Sequence, residues 1–407
     1  VWGRPAVIHV IESLRRWGVK DILLNLHHRA DMIFDLLRTH PLNGVSLSFS
    51  FENEILGTGG AIKKADWFIG NEYFWIVNSD VVSDMDPRPM ISDFLKHRPI
   101  ATLWLYEHKG PRTVEMKDGI VTNFRSASPG TAGTYTFTGT HLASPDILSF
   151  VRKDGYSTIV ESYDNAMKSN RKIRGVLLEP SFWADIGKPA DYLAVHNETM
   201  SRHRRHLPGG RYFDPSALEK KSALQKKGCK IEGFVSIGSN VVIEPNTVIS
   251  NSVIWDNAHI KSNSRLVNAI IADNTVAEGC VNGPCIRAGD IDEGWIETVS
   301  TQLRWKKDDT VVLPFPARGS ARTYTRLRRG RDSAIAVKYS AERPENALFT
   351  RHAEFLAGID VNVPEIYYDD PKLRLILIED IGDCSLGSAI AHENEAGIVR
   401  IYKSVIR

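Results

Sequence analysis

The chain of 407 residues is 42% hydrophobic and 25% charged, and its formal net charge is +2. This composition is typical of a globular protein with two or three domains, and the near-zero charge disfavours a nucleic-acid partner. The four cysteines are scattered, and no apolar run approaches the ~20 residues that span a bilayer. We therefore expect a cytoplasmic protein with free thiols and no membrane segment.

The first hundred residues alternate between helical and extended patterns. Residues 5–17 repeat apolar side chains at spacings of three and four, which predicts a helix, and residues 45–51 alternate as a half-buried strand does. His27 and His28 follow another predicted strand, but without a third ligand they indicate a polar loop rather than a metal site. The alternation continues to about residue 106 and predicts βαβ units around a parallel sheet, an α/β fold.

The stretch from Phe51 to Asp86 contains two features typical of a ligand site. One is a glycine turn with carboxylates just upstream, and the other is a short apolar run, residues 74–77, that ends in Asn-Ser-Asp. Glycine lets the backbone approach a flat ligand, and open α/β sheets bind ligands beyond the carboxyl ends of their strands. An aspartate placed there can hold a hard cation. The structural alternative is a turn before a helix and an aspartate that caps a loop.

Together these features resemble the sugar-1-phosphate nucleotidyltransferases, which have a Rossmann-like α/β domain. The resemblance implies that the glycine segment reads the nucleobase and that Asp80 binds Mg²⁺. The residues that it assigns to the nucleotide are Glu52, Glu54, Gly57, Thr58, Gly59, Gly60 and Asn78. This chain departs from the family text at Ser79, where a glycine is usual, near the substrate.

Two later segments extend this resemblance. In the family, a strand that ends as Thr138-Gly139 does here forms the floor of the sugar pocket, although a glycine bulge at a strand end would look the same. The segment Trp183-Ala-Asp-Ile-Gly187 matches the family signature in which the aspartate, here Asp185, is the second Mg²⁺ ligand. Asp80 and Asp185 are thus the expected catalytic and metal-binding residues, which neutralise charge as a sugar phosphate attacks the α-phosphorus.

The family's phosphate-binding loop should lie upstream of Trp2-Gly3-Arg4-Pro5. The chain opens on Val1 and stops at Arg407 within a helical pattern, so we expect a piece of a longer protein, cut at both ends. On this view residues 1–407 alone transfer no nucleotidyl group and phosphorylate no sugar.

Residues 201–228 are basic and charged, and we expect a solvated linker there. Residues 229–300 then repeat apolar positions roughly every six residues, with Asn, Ser and Gly at the turns. The apolar positions include Ile237, Ile243, Ile249, Val253 and Ile260. This pattern resembles the left-handed parallel β-helix of hexapeptide-repeat proteins, which implies homo-oligomers formed through the coil. A meander of hairpins is the alternative.

Residues 301–407 resemble, in the order of their elements, a truncated small lobe of the aminoglycoside/sugar phosphotransferases, which share the protein-kinase fold. The resemblance implies that Gly319, Ser320 and Lys338 bind ATP, and that Glu345 or Glu354 pairs with Lys338. The many arginines of this region also fit a nucleic-acid arm. The charged residues 306–310 predict a loose joint before the lobe.

The combined arrangement predicts an enzyme with a nucleotidyltransferase domain over residues 1–200, the linker, the coil and the lobe. Its substrates are an NTP (UTP or GTP) and a sugar 1-phosphate, its products an NDP-sugar and pyrophosphate, and its cofactor Mg²⁺. The fusion resembles pairs of N-acetylmuramate kinase and N-acetylmuramate-1-phosphate uridylyltransferase in cell-wall amino-sugar salvage. Mannose-1-phosphate guanylyl transfer and an inactive regulatory or scaffold subunit are the alternatives.

Overall fold

A computed structural model describes residues 1–40, 42–153, 155–287, 294–314, 322–340, 346, 348–382 and 397. The chain divides into a first unit, Val1–Asp214, and a second unit, Pro215–Arg407. The division falls inside residues 201–228, which were expected to form a solvated linker. That expectation is wrong, because the residues before the division pack on the first unit and the residues after it pack on the second. Arg211 forms an ion pair with Asp84 in the first unit, at 2.9 Å, whereas Leu224 joins the apolar core of the second.

The elements of the first unit follow the alternation seen in the sequence. Its strands are β1 (Asp21–Leu26), β2 (Ser46–Phe51), β3 (Phe74–Val77), β4 (Val81–Asp84), β5 (Ala101–Tyr106), β6 (Val114–Lys117), β7 (Ile120–Asn123), β8 (Thr134–Ala143), β9 (Ile173–Leu177) and β10 (Phe182–Asp185). Its helices are α1 (Ala6–Arg16), α2 (Ala30–Thr39), α3 (Gly57–Lys64), α4 (Asp66–Ile69), α5 (Arg88–His97), α6 (Ile159–Lys168) and α7 (Pro189–Arg204). The predicted helix over residues 5–17 is confirmed, because α1 buries Ile8, Ile11 and Leu14.

The sheets of this unit are mixed rather than parallel throughout. Strands β1 and β2 are parallel, as are β5 and β9 in a six-stranded sheet of order β3-β8-β5-β9-β7-β6. Strand β8 lies antiparallel between β3 and β5, and β4 pairs antiparallel with β10. The expectation of a parallel sheet is therefore only partly met, because alternation of strands and helices does not reveal where a later strand inserts.

The second unit contains stacked strands and three helices among its described residues. The strands are β11 (Lys230–Ile237), β12 (Val242–Ile243), β13 (Val248–Ile254), β14 (His259–Ile260), β15 (Arg265–Ile271), β16 (Val276–Ala277), β17 (Cys280–Arg287), β18 (Val311–Pro314), β19 (Arg322–Arg329), β20 (Asp332–Tyr339), β21 (Ile366–Asp370) and β22 (Leu375–Glu379). The helices are α8 (Ser216–Lys226), α9 (Gly294–Leu303) and α10 (Phe349–Ala357). No helix in the described part of the chain is long and apolar enough to cross a membrane.

The repeat region forms two sets of parallel stacked strands rather than hairpins. Strands β11, β13, β15 and β17 stack in one set, and β12, β14 and β16 stack in the other. Ile249 lies in register with Leu266, so one layer follows the next after 17 residues, and both side chains are fully buried. The left-handed sense and the hexapeptide nature of the repeat stay predictions.

The region after the repeat continues the same sheet. Strand β17 pairs antiparallel with β18, and the strand order β18-β19-β20-β22-β21 follows. The loose joint expected at residues 306–310 is therefore not found, since Lys307–Asp309 form a short 3₁₀ turn that leads directly into β18. Strands β20 and β22 bury one face against Trp295 and Val299 of α9.

Candidate active site

The two predicted metal-binding aspartates meet at one place in the first unit. Asp80 immediately precedes β4, and Asp185 ends β10, whose antiparallel register with β4 places Asp185 opposite Val81. The N–H of Ile186 donates to the carbonyl oxygen of Asp80 at 2.9 Å, which holds the two strand ends together. The pairing of two strands that are far apart in sequence is therefore what brings the carboxylates together.

Gly187 marks the space between these carboxylates. A Cβ atom on Gly187 would lie 3.2 Å from Oδ1 of Asp185 and 3.5 Å from Oδ2 of Asp80. The Gly187 N–H also donates to Asp185 Oδ1 at 2.8 Å, which fixes the direction of that carboxylate. The absence of a side chain at Gly187 keeps the region between the two acids accessible.

The electrostatics of the pair favour a bound cation. Partial burial, followed by the negative charge of Asp185, raises the pKa of Asp80 above its usual value. Two convergent carboxylates suit a hard cation such as Mg²⁺, which usually takes one or two protein carboxylates and fills its remaining positions with water and phosphate oxygens. Within the described ranges, no group of three or more His, Cys, Asp or Glu side chains forms a metal site. The binding of an ion by Asp80 and Asp185 stays a prediction.

Trp183 supports Asp185 from the same strand. Its indole Nε1 donates to the carbonyl oxygen of Thr138 at 2.9 Å, and its side chain is buried. Residues two apart in a strand point to the same face, so the hydrogen-bonded indole fixes the orientation of the face of β10 that carries Asp185. The aromatic residue of the signature is therefore a structural support for its aspartate.

The residues expected at the sugar pocket have internal partners. Thr138 is buried, and its hydroxyl donates to the carbonyl oxygen of Trp104 at 2.9 Å, so this hydroxyl does not face a ligand. A Cβ atom on Gly139 would lie 2.6 Å from the amide carbon and nitrogen of Asn78. The missing side chain at Gly139 therefore admits Asn78, and sugar contact by Gly139 stays a prediction.

The glycine turn docks onto a second segment of the chain, residues 155–158. A Cβ atom on Gly57 would lie 2.6 Å from the Ser157 carbonyl oxygen, and Gly57 has a φ of +71°. The N–H groups of Gly59 and Gly60 donate to that same carbonyl oxygen at 2.8 and 3.2 Å. These amides are thus unable to bind a phosphate in this structure, and contact of the turn with a base stays a prediction.

Residues 155–158 are the part of the site that the sequence analysis missed. Thr158 caps α6 with a capping box, in which its hydroxyl accepts from the N–H of Glu161 while the Glu161 carboxylate accepts from the N–H of Thr158. The Thr58 hydroxyl accepts from the N–H of Ile159 at 2.9 Å. The Thr-x-x-Glu pattern was a readable signal for the start of this helix, although not for its docking onto the glycine turn.

Glu52 is the buried acid of the predicted base pocket. Its Oε2 accepts from the N–H of Leu56 at 3.0 Å and shapes the turn, whereas Oε1 is buried and has no partner among the described residues. Buried polar atoms are nearly always paired, so an orphaned acceptor indicates a ligand or a water molecule. Glu54 is exposed to solvent and remains a predicted contact.

The ATP-binding residues expected in the second unit are only partly described. Gly319, Ser320 and Glu345 lie outside the described residues. The Lys338 ammonium lies 5.8 Å from the ring centroid of Trp295, on the face covered by α9, whereas Phe349 of α10 packs on the opposite face. The expected pairing of Lys338 with Glu354 of α10 is therefore not seen, because alternate residues of β20 point to opposite faces.

Comparisons with known proteins identify two regions. A family model described as nucleotidyl transferase matches residues 1–202, and one described as the GMPPB C-terminal domain matches residues 213–291. The probable mannose-1-phosphate guanylyltransferase 2 of Oryza sativa subsp. japonica is 27% identical over 282 residues, which is 66% of this chain and 78% of that protein. The mannose-1-phosphate guanyltransferase of Pichia angusta is 26% identical over 282 residues, covering 64% and 77%.

Solved structures are also similar. HddC from Yersinia pseudotuberculosis, complexed with GMP-PN, is 24% identical with a TM-score of 0.41, covering 48% of this chain and 85% of that one. The UDP-glucose pyrophosphorylase from Acinetobacter baumannii is 14% identical with a TM-score of 0.43, covering 55% and 88%.

Proposed function

We propose, from the match of residues 1–202 to the nucleotidyl transferase family model and from the similar guanylyltransferases, that this protein is a guanylyltransferase that acts on mannose 1-phosphate or a closely related sugar 1-phosphate. The observation that carries the proposal is the convergence of Asp80 and Asp185 around Gly187. The matches to mannose-1-phosphate guanylyltransferases favour this substrate over N-acetylmuramate 1-phosphate, which the sequence analysis placed first.

The reaction needs electrostatic control rather than a covalent intermediate. A phosphate oxygen of the sugar 1-phosphate attacks the α-phosphorus of GTP, the bond from that phosphorus to the bridging oxygen of the β-phosphate breaks, and pyrophosphate leaves. Mg²⁺, when bound, neutralises the charge of the phosphate oxygens. Asp80 and Asp185 would hold it, and Asn78, two residues before Asp80, packs on Gly139.

Glu52 supports guanine as the base. The Watson–Crick edge of guanine presents two adjacent donors, N1–H and N2–H, to an acceptor, whereas uracil presents only N3–H. The orphaned Oε1 of Glu52 is an acceptor, and an ionised carboxylate accepts without donating. A buried carboxylate thus fits guanine better than uracil, whose O2 and O4 it would repel.

The second unit supports a further, separate candidate function. The strand order β18-β19-β20-β22-β21, with α10 between β20 and β21, supports the proposal of an ATP-binding phosphotransferase lobe, which rests on the resemblance stated for residues 301–407. The packing of Trp295 against Lys338 is unlike that lobe and would have to open before Lys338 could reach a phosphate.

We propose the coil as the surface for self-association and the cytoplasm as the location.

The proposal is tested by measuring pyrophosphate release from the protein as its gene encodes it. Each of GTP, UTP, CTP and ATP is combined with mannose 1-phosphate and, separately, with N-acetylmuramate 1-phosphate, always with Mg²⁺. The expected result is turnover with GTP and mannose 1-phosphate that is lost in Asp80→Asn. Turnover confined to UTP and N-acetylmuramate 1-phosphate would show that the protein is a uridylyltransferase instead. No turnover with any pair would favour an inactive regulatory or scaffold subunit.

A further inference from the structure

We propose that His27 is a positioning residue for base recognition, because its ring holds the backbone of Glu52 and so directs the one carboxylate oxygen that is left for the base. The inference rests on the proposed function and adds to it a residue that the sequence analysis placed in an ordinary polar loop. His27 follows β1 directly and is exposed, so its ring is not needed to fill the core.

Three contacts fix Glu52, and His27 supplies one of them. The Nδ1 atom of His27 lies 2.9 Å from the Glu52 carbonyl oxygen. The Glu52 N–H donates to the carbonyl oxygen of Leu26 at 2.8 Å, and Glu52 Oε2 accepts from the N–H of Leu56 at 3.0 Å. Every polar atom of Glu52 except Oε1 therefore has a partner in the described structure.

The same contacts continue into the glycine turn. The Leu56 carbonyl oxygen accepts from the N–H of Ser157 at 2.8 Å, and the Ser157 carbonyl oxygen accepts from the N–H groups of Gly59 and Gly60. Glu52 thus lies near the start of a continuous series of hydrogen bonds that runs from the end of β1 to the start of α3. Loss of the His27 bond would free the backbone of Glu52 at the point where the series begins.

The chemistry of this contact defines which side chains can replace histidine. A carbonyl oxygen only accepts, so Nδ1 of His27 carries the hydrogen in this contact. The Nδ2 amide of asparagine occupies the same distance from the backbone as Nδ1 of histidine and can donate in its place. The glutamine amide extends one bond further, to the position of Nε2, and cannot donate from the Nδ1 position.

The test compares nucleotide binding by the full chain and four variants, His27→Ala, His27→Asn, His27→Gln and His28→Ala. Isothermal titration gives the Kd for GTP and for UTP with Mg²⁺, and thermal unfolding checks the fold. We expect His27→Ala to weaken the binding of GTP about tenfold, which is the equivalent of one hydrogen bond, and the binding of UTP less than about threefold. His27→Asn should restore GTP affinity to within about threefold of the wild type, His27→Gln should not, and His28→Ala should have no effect.

The outcomes separate this inference from the proposed function. If the wild type binds GTP and His27→Ala binds it equally well, the inference is wrong and the function stands. Equal losses for GTP and UTP with a lower Tm would assign His27 a general structural role and also overturn the inference, and the His27→Asn variant decides this if His27→Ala unfolds. A wild type that binds neither nucleotide would overturn both.

Discussion

Two carboxylates, Asp80 in the first unit and Glu244 in the second, have pKa values that are shifted in opposite directions. In the first unit Asp80 faces Asp185, and its pKa is raised by partial burial and then by that neighbouring charge. In the second unit Glu244 on the coil lies 2.7 Å from His259 and accepts from the N–H of Ser262 at 2.9 Å. Hydrogen-bond donors lower the pKa of Glu244 to about 2. The N–H of Ser262 has the largest effect, His259 has a smaller one, and Lys261 contributes less again.

On the proposed function, this difference separates an acid that would hold a cation from an acid that stabilises the coil. Some asparagines and aspartates of the coil recur every 17 residues and bind their own copies, as when Asn240 donates to Asn257 at 3.2 Å, or the Asp256 N–H donates to Asp273 at 2.8 Å. Asp80 has no such copy, and its nearest acid repels it. A carboxylate held against like charge is stabilised when a cation or a proton binds it, whereas a carboxylate held by donors is already satisfied.

The largest expected effect tests the functional side of this contrast. Asp80→Asn and Asp185→Asn should each lower turnover at least about a hundredfold, because each removes a ligand of the cation that neutralises the transferring phosphate. Thermal unfolding should show no loss of stability, since the substitution removes a repulsion. Glu244→Gln is the matched control and should leave turnover unchanged. A large loss of Tm in Asp80→Asn would mean that Asp80 is a structural acid as well.

The next effect tests the structural side. Ile249→Ala should lower the free energy of unfolding of the second unit by about 2–5 kcal/mol, because Ile249 is fully buried and its truncation leaves a cavity. Val242→Ala, at an exposed position of the same coil, should cost well under that amount. Denaturant titration measures both. Equal costs at the two positions would mean that the coil is not packed around Ile249.

A smaller effect concerns the docking of the glycine turn. Gly57 and Gly70 both have positive φ, at +71° and +62°, but only Gly57 faces another backbone. Gly57→Ala should therefore destabilise the first unit by about 1–3 kcal/mol and weaken GTP binding, whereas Gly70→Ala should show the cost of φ alone. Denaturant titration and nucleotide titration of the two variants measure this difference. If they behave alike, the contact with Ser157 contributes nothing.

The smallest effect is a difference in pH dependence. The lowered pKa of Glu244 adds stability that is present above its usual pKa of 4.5 and is lost as the pH falls through about 2. Asp80 has a raised pKa, so its ionisation opposes folding as the pH rises through its folded value. At pH 7, Glu244→Gln should therefore lower the Tm slightly, and Asp80→Asn should not. The Glu244→Gln difference should vanish once the pH has fallen below about 2, and a constant difference would contradict this assignment.

The sequence predicted local features better than the contacts between them. The apolar spacing of residues 5–17 predicts α1, and the repeat predicts stacked parallel strands, because both signals lie within one element or one layer. The 17-residue spacing of the asparagines with positive φ, at 240, 257 and 274, was also readable. It gives the length of one layer more directly than the six-residue apolar period.

Contacts between distant segments could not be read in the same way. The docking of Gly59 on Ser157 joins two loops with no shared pattern, and nothing in the composition of either predicts the other. The facing of Asp80 and Asp185 was predictable only through the resemblance to a known family. The covering of Lys338 by Trp295 was missed, because an amphipathic helix does not specify which sheet face it covers.

The central claim, that Asp80 and Asp185 hold one cation, is tested most directly by Mn²⁺ binding to the protein saturated with a non-hydrolysable GTP analogue, measured by electron paramagnetic resonance. Wild type, Asp80→Asn, Asp185→Asn and the double variant are compared. Each single variant should bind Mn²⁺ at least about tenfold more weakly than the wild type. The affinity of the double variant should lie within about threefold of that of the weaker-binding single variant, because the loss of either ligand already removes the shared site. Unchanged affinity in the single variants, or losses that multiply in the double variant, would contradict the claim.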